Sequence, residues 1–470
     1  MFNLLSAMTL PLIGDVNLST SLTIVFFICL LCVVGFEFVN GFHDTANAVA
    51  TVIYTKALKP VYAIPWSGTF NFLGVFLGGV AVAMGILKLL PLDELMKLPV
   101  SVGACMVLAV LLASIIWNLG TWYLGIPCSS SHTLIGAMIG ASIAFTWYYG
   151  GAGVNWDKAK EIGLSLIMSP IFGFGAAALL MYFLKHVVKS KTLFHIPQGE
   201  NDTPPIFVRL LLITTCTLVS FFHGSNDGQK GVGLLMLILI AFLPATFAIN
   251  HAIPNDKILG SLNRTEQVIS RSMGTADDAT KKMLAHLDSD VTTTKAELTS
   301  KDLGTYKFRK AIKSVVKDLD GITAANPKFA NDDVATLKSA SKDLNGLTDF
   351  APIWVIATIS ISLGIGTMVG WKRIVVTIGE KIGNEHLNYA QGASSEIIAA
   401  STIGLSTWFG LPVSTTHVLS SGIAGSMMAS GGKGNLNSKT LKSIALAWVL
   451  TLPVAIILAM LLFMFFHLFI

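Results

Sequence analysis

The chain has 470 residues and a formal net charge of +5, with hydrophobic residues making up 53% of the sequence and charged residues 13%. This is more apolar material than the core of a soluble domain of this size needs, so the composition excludes a soluble globular protein. We predict an all-α polytopic membrane protein with the lipid bilayer as a partner, and we expect no nucleic-acid partner.

The first apolar run, residues 16–36, leads into a motif built around an aspartate. Residues 1–20 hold no Lys or Arg, so we expect a retained transmembrane helix rather than a signal peptide. In Gly-Phe-His-Asp-Thr-Ala-Asn-Ala, residues 41–48, small residues are expected to interrupt the apolar segment around Asp44. A carboxylate inside a membrane is costly and usually marks a cation path or a proton relay, although a helix cap at the membrane surface is the simpler interpretation.

The apolar run at 98–156 is too long for one helix and contains Gly-Ile-Pro-Cys-Ser-Ser-Ser-His at 125–132. We predict a helix, a broken or re-entrant element and a second helix here. A helix that begins inside the membrane presents unpaired N–H groups and a positive dipole end, which suits an oxyanion. We therefore predict that the hydroxyls after the proline bind the substrate, unless they only bond back to their own helix. They are Ser129, Ser130 and Ser131.

The first membrane repeat is predicted to cover residues 1–184, followed by a cytoplasmic linker at 185–209. The second repeat begins with residues 210–255, which contain Gly-Ser-Asn-Asp-Gly-Gln-Lys-Gly at 224–231. This looser copy of the first aspartate motif places Asp227 in the position of Asp44. We predict that both carboxylates take part in ion coupling, and that the flanking His43 and His223 tune them.

Residues 256–349 are much richer in charged residues than the rest of the chain. They hold 15 Lys or Arg and 14 Asp or Glu of the 59 charges in the chain. They predict a soluble, mainly helical insert with short amphipathic helices near 279–287 and 315–319 and a turn at Asn326-Pro327. The insert is expected on the extracytoplasmic side, as a lid, a dimer contact or a tolerated insertion.

Residues 350–470 complete the second repeat and contain Gly-Leu-Pro-Val-Ser-Thr-Thr-His at 410–417. This second hydroxyl motif predicts a second cradle, formed by Ser414, Thr415 and Thr416. His132 and His417 close the two hydroxyl motifs, either as buried side chains that shape a turn or as proton carriers. Glu396 is interpreted as a cap at the membrane boundary or as a supporting site residue.

The spacing of the motifs indicates two copies of one unit. The aspartates are 183 positions apart and the motif histidines 285 apart, and the difference of 102 is about the length of the insert. The runs together predict roughly ten to twelve membrane segments. Basic residues in short loops favour the cytoplasm, which makes the two repeats inverted relative to each other, as in secondary transporters with a site near the midplane. The loop residues are Lys56, Lys59, Lys185, Lys189, Lys191, Arg209, Lys372, Arg373 and Lys381.

The aspartate motifs resemble the paired signatures of the PiT family of inorganic phosphate transporters, and the hydroxyl motifs match the same family. The resemblance covers about residues 20–250 and 350–470 and is greatest to the bacterial low-affinity phosphate transporters. It implies symport of phosphate by paired inverted repeats, with phosphate between the hydroxyl triads. It also implies cation sites at the signature aspartates and asparagines, here including Asn47 and Asn226.

Two departures from the family pattern bear on the coupling ion. His43 and Lys230 stand where sodium-coupled relatives have asparagine. Imidazole is a poor sodium ligand, and an ammonium competes with a cation for the same carboxylate, so we predict proton coupling. Lys230 is predicted to contact phosphate, with a snorkelling lysine as the simpler interpretation. Transport of phosphate as a neutral complex with a divalent metal is left open.

We therefore expect a proton-coupled importer of inorganic phosphate in the bacterial inner membrane. It is expected to be no enzyme and to have no cofactor and no resident metal, and a homodimer is left open. The alternatives are a sodium-coupled phosphate symporter, a sulfate transporter of the same fold, a membrane-embedded hydrolase using an Asp and His pair, and a channel. The five cysteines lie in apolar stretches and support neither a disulfide nor a zinc site.

Overall fold

The computed structural model describes residues 5–151, 153–199, 202–299, 306–325 and 329–470, without the side chains of residues 5–8, 45–47 and 306. The predicted turn at Asn326-Pro327 lies outside the described residues. Helices dominate, which confirms the predicted helical membrane-protein class. They are α1 Thr20–Tyr54, α2 Pro60–Leu77, α3 Ala81–Leu87, α4 Leu92–Leu95, α5 Val100–Tyr123, α6 Ser130–Tyr149, α7 Trp156–Val187, α8 Ile206–Phe242, α9 Pro244–Phe247, α10 Asn255–Ser272, α11 Asp278–Thr299, α12 Tyr306–Ala324, α13 Asn331–Thr348, α14 Ile353–Thr367, α15 Lys372–Glu380, α16 Tyr389–Trp408, α17 Thr415–Gly431 and α18 Ser438–His467.

Five helices among the described residues are long and apolar enough to cross a membrane, namely α1, α5, α7, α8 and α18. The number rises to seven if two helix pairs, α2 with α3 and α13 with α14, each form one span. This is fewer than the ten to twelve predicted segments, because several apolar runs form short or broken helices. For example, α14 has 15 residues, whereas a span needs about 20.

The N-terminal residues form a β-hairpin that the sequence does not predict. Strand β1, Leu5–Leu10, pairs antiparallel with β2, Gly14–Ser19, so that Leu5 lies opposite Ser19. The first transmembrane helix therefore begins at Thr20. This helix includes all of the predicted apolar run from Thr20 onward.

The expectation that the aspartate motifs interrupt their helices is wrong. Helix α1 continues through residues 41–48 and α8 through residues 224–231. Their small residues allow close packing instead. A Cβ on Gly41 would lie 2.6 Å from the carbonyl oxygen of Leu363 in α14, and one on Gly224 would overlap the backbone of Asn71 in α2. The glycines therefore bring neighbouring helix backbones together without ending the helix.

The predicted breaks at the hydroxyl motifs are confirmed, and both have the same geometry. Helix α5 ends at Tyr123 and α16 at Trp408, and each is followed by a glycine with φ of +67°. The N–H of Ile126 donates to the carbonyl of Thr121 at 3.0 Å, and the equivalent bond between Leu411 and Ser406 is 2.9 Å. These are Schellman endings, in which a left-handed glycine satisfies the last carbonyls of the helix.

The helices that follow the two breaks pack reciprocally on the long helices of the membrane unit, which contains residues 21–92, 104–237 and 351–470. Helix α6 packs on α18, where Gly140 meets the backbone of Ile456. Helix α17 packs on α7, where Gly425 meets the backbone of Phe174. The duplicated motifs thus make matching contacts, while the inverted orientation of the two repeats stays a prediction.

The insert unit contains residues 93–103 and 238–350 together with the hairpin. Its helices α10, α11, α12 and α13 pack pairwise around a core of leucine, isoleucine and valine. The predicted amphipathic segments belong to the longer helices α11 and α12. Buried Arg309 of α12 donates to the backbone carbonyls of Ala248 and Thr348 and so ties this helix to both ends of the insert. The predicted domain boundaries stay predictions.

Candidate functional site

The two hydroxyl motifs place their first hydroxyl residues at identical helix caps. The Ser129 hydroxyl accepts a hydrogen bond from the backbone N–H of His132 at 3.2 Å, and Ser414 accepts one from His417 at 3.2 Å. Both are N-caps, so each satisfies one unpaired N–H of its helix. The next two hydroxyl residues of each motif begin α6 and α17 and are buried. They are Ser130, Ser131, Thr415 and Thr416.

The carboxylate of Asp44 joins these two helix N-termini. Its Oδ2 accepts from Ser130 at 3.0 Å, and its Oδ1 accepts from Thr416 at 2.5 Å. Because the N-terminus of a helix carries a partial positive charge, a negative group is stabilised between two of them. The structure therefore brings one residue of each hydroxyl triad to a shared anionic group.

Asp227 lies on the other side of Ser130. Its Oδ2 accepts from the Ser130 hydroxyl at 3.2 Å and forms an ion pair with Lys230 Nζ at 2.7 Å. The ammonium of Lys230 also donates to Ser131, whose hydroxyl donates to the carbonyl of Val413 at 2.7 Å. The chain of contacts links α8, the start of α6 and the segment before α17. Lys230 therefore points into the cluster and does not snorkel.

His223 lies between the two carboxylates. Its Nε2 is 3.8 Å from Asp44 Oδ2 and 3.8 Å from Asp227 Oδ2, while its Nδ1 is 2.8 Å from Asn71 Oδ1. The ligand atoms of Asp44, His223 and Asp227 all lie within 4.8 Å of one another, so these residues could hold a cation. His43 Nδ1 is 3.7 Å from Asp44 Oδ1. The expected absence of a resident metal stays a prediction.

The two motif histidines meet each other. The ring centroids of His132 and His417 are 4.6 Å apart, and His417 stacks on Trp448 at 4.0 Å. His132 Nδ1 also lies 2.8 Å from the Ser129 hydroxyl. Both interpretations of the pair, as side chains that shape the two turns or as proton carriers, stay predictions.

Of the two asparagines predicted as cation ligands, the structure describes the side chain of one. The Asn226 amide donates to Thr407 at 2.9 Å and to the Leu411 carbonyl at 3.1 Å, and its oxygen accepts from the N–H of Val413 at 3.2 Å. Asn226 thus fixes the second break, and its role as a cation ligand stays a prediction. The Asn47 side chain lies outside the described residues.

Glu396 does not cap a helix at a membrane boundary. It is the eighth residue of α16, and the cap of that helix is Asn388, which forms a capping box with Gln391. The carboxylate is fully buried and accepts hydrogen bonds from Thr51 of α1 and Thr215 of α8. Glu396 therefore joins the two aspartate-bearing helices to α16.

Glu37 is a buried carboxylate that sequence reasoning missed. It is fully buried, it accepts from Asn40 at 3.3 Å, and its Oε1 has no hydrogen-bond partner among the described residues. A Cβ on Gly231 would overlap the Glu37 carboxyl, so that glycine makes room for it beside Lys230. The signal was available, since Glu37 lies two helical turns before Asp44 and shares its face.

The polar cluster is closed to solvent. Asp44, Ser130, Ser131 and Lys230 are each 1% exposed, and Asp227 is fully buried. Two carboxylates and one ammonium leave the five side chains with an excess negative charge when the aspartates are ionised. Buried charge of this kind is expensive unless a cation compensates it, so the cluster is suited to an accompanying positive ion.

A sequence model of the phosphate transporter family matches residues 40–459. The chain belongs to this family. The match covers both aspartate motifs and both hydroxyl motifs. It confirms the family that the motifs indicated. The relatives are named as transporters, which agrees with the expectation that the chain is not an enzyme.

Three relatives illustrate the similarity. The chain is 39% identical to the low-affinity inorganic phosphate transporter PitA of Escherichia coli K12, over 96% of this chain and 98% of that protein. It is 38% identical to the transporter PitB of the same strain, over 92% of this chain and 94% of that protein. A probable low-affinity inorganic phosphate transporter of Bacillus subtilis is 30% identical, over 92% of this chain and 95% of that protein.

A solved structure, described as the sodium-dependent phosphate transporter, has a similar fold. The TM-score is 0.55 at 20% identity, covering 95% of this chain and all of that chain. At this identity the likeness supports the fold alone. The protein is thus a multi-pass helical membrane protein of the phosphate transporter family.

Proposed function

We propose that the protein imports inorganic phosphate across a bacterial inner membrane by symport with protons. The observation that carries the proposal is the position of Asp44, whose carboxylate accepts from Ser130 of one hydroxyl motif and Thr416 of the other. Two helix N-termini that stabilise a carboxylate can also stabilise phosphate, because both ligands are oxyanions that accept hydrogen bonds. Relatives over nearly the whole chain are named as phosphate transporters, which supports the substrate.

The same contacts suggest how proton and phosphate binding are coupled. As long as Asp44 is ionised, the hydroxyls of Ser130 and Thr416 donate to its oxygens. Protonation of Asp44 removes its charge and weakens those bonds, so the hydroxyls can turn to phosphate. The proton also offsets the charge of the arriving anion in a buried site. Phosphate and the proton therefore stabilise each other's binding.

Protons are favoured over sodium by the surroundings of Asp227. Lys230 Nζ lies 2.7 Å from Asp227 Oδ2, where its ammonium already supplies the positive charge that a sodium ion would bring. A sodium ion binds oxygen ligands and would be repelled by that ammonium. A neutral divalent metal–phosphate complex carries no net charge for that ammonium to repel, so we keep it as the second form of the substrate, with Asp44, His223 and Asp227 close enough together to contact its metal.

The carboxylates also favour phosphate over sulfate. A carboxylate can accept a hydrogen bond from a P–OH group, whereas fully ionised sulfate has no proton to donate and is repelled. We expect unlabelled phosphate to compete with labelled phosphate uptake much more strongly than sulfate does at neutral pH. Equal competition by the two anions would contradict the assignment.

In this proposal one helix bundle moves against another around the cluster to give alternating access. The insert lies on the extracytoplasmic side of the membrane and the linker on the cytoplasmic side. The test is uptake of radiolabelled phosphate into proteoliposomes under separately imposed proton and sodium gradients. We expect accumulation with an inward proton gradient and little with a sodium gradient alone. Accumulation driven only by sodium would overturn proton coupling, and no uptake under any gradient would overturn phosphate transport.

A further inference from the structure

The membrane unit carries two adjoining clefts with cationic linings, at the end of α5 and the start of α15 and α18. The first has a volume of about 660 Å³ and is lined by Lys372, Arg373 and Lys381 among others. The second, of about 340 Å³, shares Lys381 with the first and adds Lys439. Among the described residues that line the two clefts, none is acidic. Together they form what we call the basic cleft, which attracts anions.

Arg373 makes one hydrogen bond and two aromatic contacts in this cleft. Its Nη1 donates to the carbonyl of Tyr123 at 2.6 Å, and the guanidinium lies 5.0 Å from the ring of Trp122 and 5.1 Å from that of Tyr123. A guanidinium fixed on aromatic rings keeps its other N–H groups available for a planar pair of oxygens. The side chain has therefore lost much of its rotational freedom before any ligand arrives, which favours binding.

The basic cleft adjoins the chain segment that leads into α6, the helix that begins in the first hydroxyl motif. Gly125 lines both of its parts, and Ile126 and Pro127 line the second, directly before the Ser129 cap. Thr377 of α15 donates to the carbonyl of Gly125 at 2.9 Å and joins the cationic helix to this segment. The basic side chains therefore lie beside the break that precedes the N-terminus of α6.

We propose that the basic cleft binds inorganic phosphate at one mouth of the transport path, with Lys381 and Lys439, which line the same part of it, as its cationic ligands. Arg373 lines the adjoining part and adds to the positive potential. The inference rests on the proposed function, because a mouth exists only if phosphate passes the buried cluster. The chemistry fits a tetrahedral phosphoryl oxyanion, which the two ammonium groups bind by charge-assisted hydrogen bonds. A lipid head group offers the same chemistry. The position of the cleft beside the transport segment favours free phosphate.

Occupancy of the cleft can be measured without transport. Ser443→Cys places a thiol in the cleft lining, and its rate of modification by a negatively charged thiol reagent is followed on purified full-length protein in phosphatidylcholine nanodiscs. The protein without this change is the blank for the native cysteines. We expect inorganic phosphate to slow the reaction, and Lys381→Gln or Lys439→Gln in the same background to raise the protecting concentration about tenfold. Lys442→Gln, an exposed lysine of α18 outside the cleft, is the matched control and should leave protection unchanged.

Two further arms separate the possible failures. Ser130→Ala in the reporter protein should abolish uptake but keep the protection, because the cleft is a separate site. Protection without transport in every variant would overturn the proposed function and leave phosphate binding in the cleft standing. No protection by phosphate, or protection that Lys442→Gln weakens as much as Lys381→Gln, would overturn the cleft site. Protection that appears without phosphate once phosphatidylglycerol is added would assign the cleft to lipid and would overturn free phosphate as its occupant.

Discussion

The hydroxyl of Ser130 lies 3.0 Å from Asp44 Oδ2 and 3.2 Å from Asp227 Oδ2, so the two carboxylates share its one proton. The two aspartates come from equivalent positions of the repeated sequence, and the serine begins the helix after the first break. A movement of α6 relative to both α1 and α8 therefore changes the surroundings of both carboxylates together. This shared donor provides a physical link between the substrate cradle and the coupling residues.

Replacing Ser130 should weaken transport strongly. Ser130→Ala removes the donor to both carboxylates, and we expect phosphate uptake in proteoliposomes to fall at least about tenfold, the equivalent of one or two hydrogen bonds to charged groups. Ser142→Ala is the matched control, because Ser142 is buried in the same helix and its hydroxyl has no hydrogen-bond partner among the described residues. Similar uptake by the two variants would contradict a role for Ser130.

Asp227 has a structural role and a proposed coupling role, which a double variant separates. Asp227→Asn leaves the buried Lys230 ammonium without its carboxylate, and we expect a loss of about 3–5 kcal/mol in stability, read as a lower unfolding temperature in detergent. Asp227→Asn with Lys230→Met removes both charges and should regain most of that stability while still failing to concentrate phosphate. Recovery of proton-driven accumulation in the double variant would remove Asp227 from coupling.

The close contact between α6 and α18 depends on Gly140. A Cβ at this position would overlap the backbone of Ile456, so Gly140→Ala should destabilise the protein by about 1–3 kcal/mol. Gly175→Ala in α7 is the control, because no described residue comes within 4 Å of a Cβ there and alanine is the better helix former. The unfolding temperatures of the two variants should differ clearly, and equal values would contradict the packing.

The insert contains a histidine with a shifted titration. The hydrogen bond that His286 Nδ1 makes with Asp318 at 2.6 Å raises the pKa of His286, with further help from the charges of Asp318 and Asp290. The protonated pair stabilises the insert fully below the ordinary histidine pKa of about 6.5, and the effect is lost as the pH rises through the higher folded value. Asp318→Asn should bring the pKa back toward its ordinary range. Histidine-selective NMR of the full-length protein, assigned with His286→Gln, measures this, and an unchanged titration would contradict the pair.

Local sequence was sufficient to predict the two breaks and the functional motifs. Each hydroxyl motif contains a glycine that ends one helix and a serine that caps the next, so Gly125 with Ser129 and Gly410 with Ser414 determine their own geometry. The resemblance to phosphate transporters rested on the same motifs. These features need no knowledge of distant contacts.

Features that depend on tertiary packing were missed. Gly41 and Gly224 suggested interrupted helices, because glycine has a low helix propensity, but close packing of α14 and α2 against them overrides that propensity. The second hydroxyl of the first motif, Ser130, could not be assigned to Asp44 and Asp227 by spacing, since the contact depends on how α1, α6 and α8 meet. Glu396 looked like a boundary residue because it is a lone acid at the start of an apolar run. Its partners, Thr51 and Thr215, come from other helices and could not be predicted from local sequence.

We propose that one phosphate binds between the N-termini of α6 and α17. Arsenate is a tetrahedral oxyanion of similar size, and anomalous scattering locates its arsenic directly in a crystal of the full-length protein. This proposal predicts a strong peak in the buried cluster, separate from any peak in the basic cleft, with oxygens in hydrogen-bonding contact with the first turns of both helices around Ser130 and Thr416. A protein that transports phosphate but shows its arsenic peak only away from these two helix N-termini would contradict the proposal.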